Sequence, residues 1–195
     1  MNKPQSILDM RFFSKLYDWH LRYGALFTLH CYCFIKNQDY SISEIPQRFA
    51  KDFQKHRNWL RFGFHSCTNL PFVDETDYEI AFLNFIQTAQ KLQMNSTNIL
   101  RLHYWNATNR QKQFLYKSGI RVLLYPTDTK CFTKCGLEHW CTNFAFEELS
   151  ILNEQSLCMG ESKVVAFTHE WCFEQQIEKI EFALRLYKKN NYVFI

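Results

Sequence analysis

The sequence is poor in the residues that punctuate loops and cradle phosphates, with five glycines and four prolines in 195 residues. No Gly-x-Gly-x-x-Gly or Walker-type loop follows any strand-like run, which removes the usual way of holding a nucleotide's phosphates at a helix amino terminus. A Lys/Arg block is also lacking. The 23 basic and 19 acidic residues are scattered to a net charge of +4, so nothing tracks a phosphate backbone and no nucleic acid partner is expected. No apolar run approaches the ~18 residues of a membrane span, and the first six residues lack the apolar core of a signal peptide. A soluble, cytoplasmic protein with no membrane partner is expected. Without internal repeats or a dividing linker, residues 1–195 read as a single domain.

Hydrophobic and aromatic residues are abundant instead, at 47% and 17%, enough to bury one substantial core. Eight cysteines in a reducing compartment read as thiols, and the glycosylation-like triplets Asn95-Ser96-Thr97 and Asn106-Ala107-Thr108 as accidents. Ile7, Met10, Phe13, Leu16, Tyr17 and Leu21 recur at helical spacing behind a Ser6/Asp9 capping box, and Gly24 stops the helix. Strand-like runs follow at residues 25–33 (ALFTLHCYC), 59–65, 98–105 (NILRLHYW), 120–125 (IRVLLY) and 163–168 (KVVAFT). Helices are predicted between them at 43–56, 75–94, 108–118 and 145–155, with a last helix over 173–190 and a terminal strand at 192–195. Helices alternating with continuously apolar strands predict an α/β fold with a parallel sheet.

The run Trp59-Leu60-Arg61-Phe62-Gly63-Phe64-His65-Ser66 delivers a histidine at the end of an apolar strand, where α/β barrels build their active sites. Two further strand ends carry polar groups: Arg101-x-His103, read as sharing one strand face, and His169-Glu170. An arginine facing inward requires an anion, a carboxylate or water. Three neutral imidazoles around one point could hold a zinc ion that activates water against a carbonyl. The competing reading pairs Arg101 with Asp128 and leaves the histidines unrelated, and spacing alone does not choose between them. A second cluster, Cys131-x3-Cys135-x3-His139-x-Cys141, offers four soft ligands, but one short loop would have to wrap the ion alone, which argues against a structural zinc site. Cys31 and Cys33 share a strand face with Phe27 and Leu29 and read as core.

Taken in order, Tyr23-Gly24-Ala25-Leu26-Phe27-Thr28-Leu29, the 59–65 run, Leu100-Arg101-Leu102-His103-Tyr104 and Phe167-Thr168-His169-Glu170-Trp171 resemble the polysaccharide deacetylase, or NodB-homology, superfamily. The resemblance is closest to a poorly characterised bacterial branch. It implies an incomplete, distorted (β/α) barrel and metal-dependent removal of acetyl groups from N-acetylated sugars. It further implies a divalent metal, zinc in the first place, with His65 as a metal ligand and Asn69 standing where the usual second histidine falls, which leaves His103 or His169 as the candidate for a second ligand. Arg101 then orients a carboxylate and His169 is the general acid. The paired aspartates of the superfamily's first strand are not at their usual place, so Asp128 or Glu170 is the candidate base. The expected ligand is a carbohydrate or other small acylated substrate. The alternative is an inactive or carbohydrate-binding protein of the same fold. A missing first strand would also leave a sheet edge beside residues 25–33 for self-association.

Overall fold

The computed structural model describes residues 3–35, 39–69, 74–105, 107–126 and 132–195. The Ser6/Asp9 capping box closes on a 3-10 turn, Ile7–Asp9, which feeds helix α1 (Arg11–Tyr23), ended by Gly24 in the left-handed region that glycine enters without strain (φ 75°). Strand β1 (Phe27–Ile35) pairs in parallel with β3 (Leu60–Thr68), and the two-residue β2 (Tyr40–Ser41) covers β1 only at Phe34 and Ile35. Between β2 and β3 the chain makes two 3-10 turns and the short helix α2 (Ala50–Lys55). Helix α3 (Glu75–Lys91) leads to β4 (Ile99–Arg101), α4 (Asn109–Lys117) and β5 (Val122–Tyr125). A hairpin of β6 (Phe132–Lys134) and β7 (Leu137–Cys141) completes the second sheet, in the order β4-β5-β7-β6. The third sheet is the two-residue pair β8 (Phe144–Ala145) and β9 (Ala166–Phe167), before α5 (Phe173–Lys189).

The core forms where α3 lies on β3. Phe64 is fully buried and meets Tyr78, Phe82 and Phe85 edge-on, at ring-centroid distances of 5.2, 5.4 and 6.1 Å. Such edge-to-face packing adds to the burial energy of the rings. Helix α1 docks against α5 through Phe12 and Trp19 on Phe173 and through the Glu181 carboxylate. Glu181 accepts from Lys15 and the Trp19 indole at 3.1 Å each and pairs with Arg22 at 2.6 Å. Burial raises its pKa, but these three bonds outweigh that and bring it down to about 2.

The parallel α/β units follow the sequence expectation, but the barrel does not. The described strands form three sheets of three, four and two strands, and none closes on itself; beyond β3 the first sheet gains only the isolated Phe62–Ser96 bridge. Closure needs a continuous ladder of matched strands. Here every strand after β3 has two to five residues, and the antiparallel β6 ends the second sheet. Local differences follow the same pattern. The expected 98–105 strand stops at Arg101 and turns into a 3-10 segment, His103–Trp105. The expected 145–155 helix is β8 followed by a 3-10 turn, Phe146–Glu148. Of the 163–168 run only Ala166–Phe167 is strand, and residues 192–195 are not strand. Asp128 and Cys131 lie outside the described residues.

Candidate active site

Residues from four strand ends meet at one place. At the β1 end, Tyr32 lies 4.8 Å from His65 and 5.1 Å from His103, ring to ring. The β1–β3 register steps from Cys31↔Phe64 to Tyr32↔Ser66, so His65 is the extra residue of a β-bulge. Bulges re-aim side chains beside functional sites. Here the His65 Nδ1–H donates to the Arg101 carbonyl at 2.5 Å, which leaves Nε2 as the lone-pair nitrogen. Burial pushes the His65 pKa down to about 3, opposed by that bond and aided by the charge of Arg101. Beneath it, His30 Nδ1 accepts the Arg101 backbone N–H at 3.3 Å. Gly63 makes room for that imidazole, since a Cβ there would fall 2.6 Å from His30 Nδ1.

Arg101 is the hub of the site. Its guanidinium carbon sits 4.2 Å from the Trp105 ring centre and 4.1 Å from that of Phe167, in the corner that the two edge-on rings form, with cation–π contact to both. Burial lowers its pKa, while Tyr32, Glu147, Glu148 and Glu170 act in the opposite sense. One arm of the fork, Nη2, donates to His169 Nε2 at 3.5 Å. The other ring nitrogen of His169, Nδ1, bonds the Glu147 carboxylate. A carboxylate on Nδ1 fixes the tautomer that exposes an Nε2 lone pair, as in a carboxylate–histidine pair built for proton transfer.

His103 does not share a strand face with Arg101, as the sequence spacing implied, because the strand ends between them. Its Nδ1 and the Tyr32 hydroxyl are 2.8 Å apart. Burial lowers its pKa, offset in part by the Asn69 backbone. The segment turns through two successive non-glycine residues in the left-handed region, Tyr104 (φ 52°) and Trp105 (φ 56°), at a cost of about 1–3 kcal/mol each. That turn places Trp105 on Arg101 and leaves Tyr104 outside.

The structure thus brings His65, Arg101, His103 and His169 together. Glu170 sits exposed on the next 3-10 turn, near enough for its charge to act on Arg101 and Tyr32. The carboxylate that touches His169 is Glu147, which sequence reasoning missed. The signal was present: Glu147-Glu148 closes the apolar Phe144-Ala145-Phe146 run as His65 and His169 close theirs, but a helical reading of 145–155 hid it. Three buried polar atoms of this cluster, Arg101 Nε, His103 Nε2 and Glu147 Oε2, have no hydrogen-bond partner among the described residues. Buried polar groups are normally satisfied, and these three are the exceptions in the cluster.

The expected metal fits poorly here. Among the described residues no group of three or more His, Cys, Asp or Glu could hold an ion. His65 and His103 supply two imidazoles, and the third group beside them is the Arg101 cation, which repels a metal. Of the Cys131–Cys141 motif, Cys131 lies outside the described residues and the described members form no such group: Cys135 lies in the hairpin turn and His139 is buried beside Tyr125, their rings 4.9 Å apart.

No family model matches the chain, and no curated protein matches it. Among solved structures it is similar to the 4-alpha-glucanotransferase from Thermococcus litoralis, with a TM-score of 0.60 and 10% identity over 94% of this chain and 34% of that one. The chain therefore spans about a third of that enzyme's length, and the likeness is one of fold. Together with the open sheets, it replaces the expected deacetylase-type barrel.

Proposed function

We propose that the strand-end cluster binds carbohydrate and hydrolyses an acyl group carried on a sugar, with His169 as the proton carrier. The observation that carries this reading is the Glu147–His169–Arg101 relay, an imidazole held in one tautomer between a carboxylate and a guanidinium. On substrate binding Arg101 Nη2 turns from His169 Nε2 to the acyl carbonyl, and the freed Nε2 takes a proton from water as the water oxygen bonds the acyl carbon. Arg101 stabilises the negative charge that develops on the carbonyl oxygen. The imidazolium then gives its proton to the leaving nitrogen as the carbon–nitrogen bond breaks, yielding a carboxylate and an amino sugar. The motif order resembling polysaccharide deacetylases supports a sugar substrate, as does the glucan-directed activity named for the similar solved structure. A second reading, binding without chemistry, is favoured by the two-histidine donor set, which falls short of a metal site. Acetate release from N-acetylglucosamine oligomers, followed by NMR, decides between them. Release that disappears in H169A supports hydrolysis. Saccharide-induced shifts without release leave only the binding role, and an absence of both overturns the proposal.

Two further features belong to this reading. Seven described cysteines are free thiols, which supports a reducing, cytoplasmic setting. No helix among the described residues is long and apolar enough to cross a membrane. Residues 27–33 of β1 have no strand on their outer side among the described residues, because β2 reaches only Phe34 and Ile35. An open edge of this length is a template for pairing with a second copy. Light scattering across a concentration series is expected to show a dimer that T28P, which removes an edge donor, weakens. A monomer at every concentration would exclude this pairing.

A further inference from the structure

We infer that Tyr104 and Trp171 are stacking platforms for successive sugar rings, so that the ligand is an oligosaccharide spanning the site rather than a single sugar. This rests on the carbohydrate reading above and adds the length and direction of the ligand. Both aromatics are conspicuous in being left in water, Tyr104 at 62% and Trp171 at 64% exposure, in a chain that buries most of its large rings. Neither is placed at random. Trp171 lies flat on His169, with ring centres 4.4 Å apart and planes 17° from parallel, so the imidazole backs one face and the exposure belongs to the other. Tyr104 rests 4.1 Å from His103 and is held outward by its left-handed backbone (φ 52°, ψ 18°).

Each platform therefore stands on one of the two histidines that flank Arg101, which contacts His169 directly and precedes His103 by two residues. Pyranose rings present an apolar C–H face to an aromatic ring and hydroxyls around their rim. The rims would face the polar groups of the site, with Arg101 bonded to His169 beside the Trp171 platform. A single ring covers one platform. Two platforms, one on each of two histidines of the site, call for at least two linked rings.

Titration calorimetry of N-acetylglucosamine and its linear oligomers against the intact chain, Y104A and W171A tests this. The expected result is an affinity that rises about tenfold from the monosaccharide to the trisaccharide. Each alanine variant should lose most of that gain and bind the trisaccharide about as weakly as the parent binds the monosaccharide. Equal affinity for monosaccharide and trisaccharide, or variants that bind the trisaccharide like the parent, overturns the inference and leaves the carbohydrate reading standing. Binding of no saccharide at all overturns both. Circular dichroism of the variants guards against misfolding, and Y104F and W171F, which keep a ring, are expected to restore the gain.

Discussion

Replacing Glu147 with glutamine is expected to lower acyl hydrolysis by about 10²–10⁴-fold without disturbing the fold or the affinity for saccharide. The carboxylate accepts the Nδ1 proton of His169, which commits Nε2 to be the base. A glutamine amide can donate to Nδ1 instead, and the imidazole then presents a protonated Nε2 that cannot take a proton from water. Glu147 is partly buried, with 18% side-chain exposure, so water is poorly placed to substitute. The position should therefore behave as a positioning residue, with kcat falling and the saccharide dissociation constant holding. Because Glu147 and His169 act as a unit, the double variant E147Q/H169A should be little worse than H169A alone. Glu170, exposed on its turn, is the internal comparison, and E170Q is expected to keep kcat within about threefold. Steady-state acetate release measures all four. A wild-type kcat in E147Q would show that the pair holds structure and moves no proton.

The parts of this site that were legible in sequence share one property: each sits where an apolar run gives way to a polar residue. His65, Arg101 and His169 could be read that way because the burial demand of a strand is written in its own residues. What could not be read was any contact between segments. The bulge at His65 depends on the β1–β3 register, which no local pattern encodes. The left-handed turn at Tyr104 and Trp105 carries no glycine to announce it, and is held by the contacts of both rings with His103, Arg101 and Phe167. Glu147 lay in a segment whose hydrophobic spacing suits a helix, and the pairing of β8 with β9 decided otherwise. The barrel expectation failed for a related reason. Alternating helices and strands set the local connection, whereas closure depends on strand length and tilt summed over the whole sheet.

The second large effect is thermodynamic and comes from the floor of the same site. Burial, aided by the charge of Arg101, pushes His30 from 6.5 down to about 3, and burial does the same to His65. Both imidazoles are neutral in the fold. Between pH 6.5 and about 3 the unfolded chain binds two protons that the native chain does not, so stability is complete above that window and falls as the pH drops through it. Lowering the pH from 6.5 to 5 is expected to cost on the order of 3 kcal/mol from these two residues, at up to about 1.4 kcal/mol per pH unit each. Glu181 also loses its stabilising contribution in acid, but its window runs from 4.5 to about 2, so the range above pH 5 isolates the histidines. His56 and His103, lowered by burial in the same direction, can only steepen the fall. Urea denaturation at successive pH values gives the slope, and H65Q, which cannot titrate, should remove about half of it. Histidine ring resonances in the parent chain supply a check that does not depend on the variant folding. The His30 and His65 signals should stay at their neutral positions below pH 5, and titration of both near 6.5 would mean that water reaches the floor of the site and that the polar centre is not held dry.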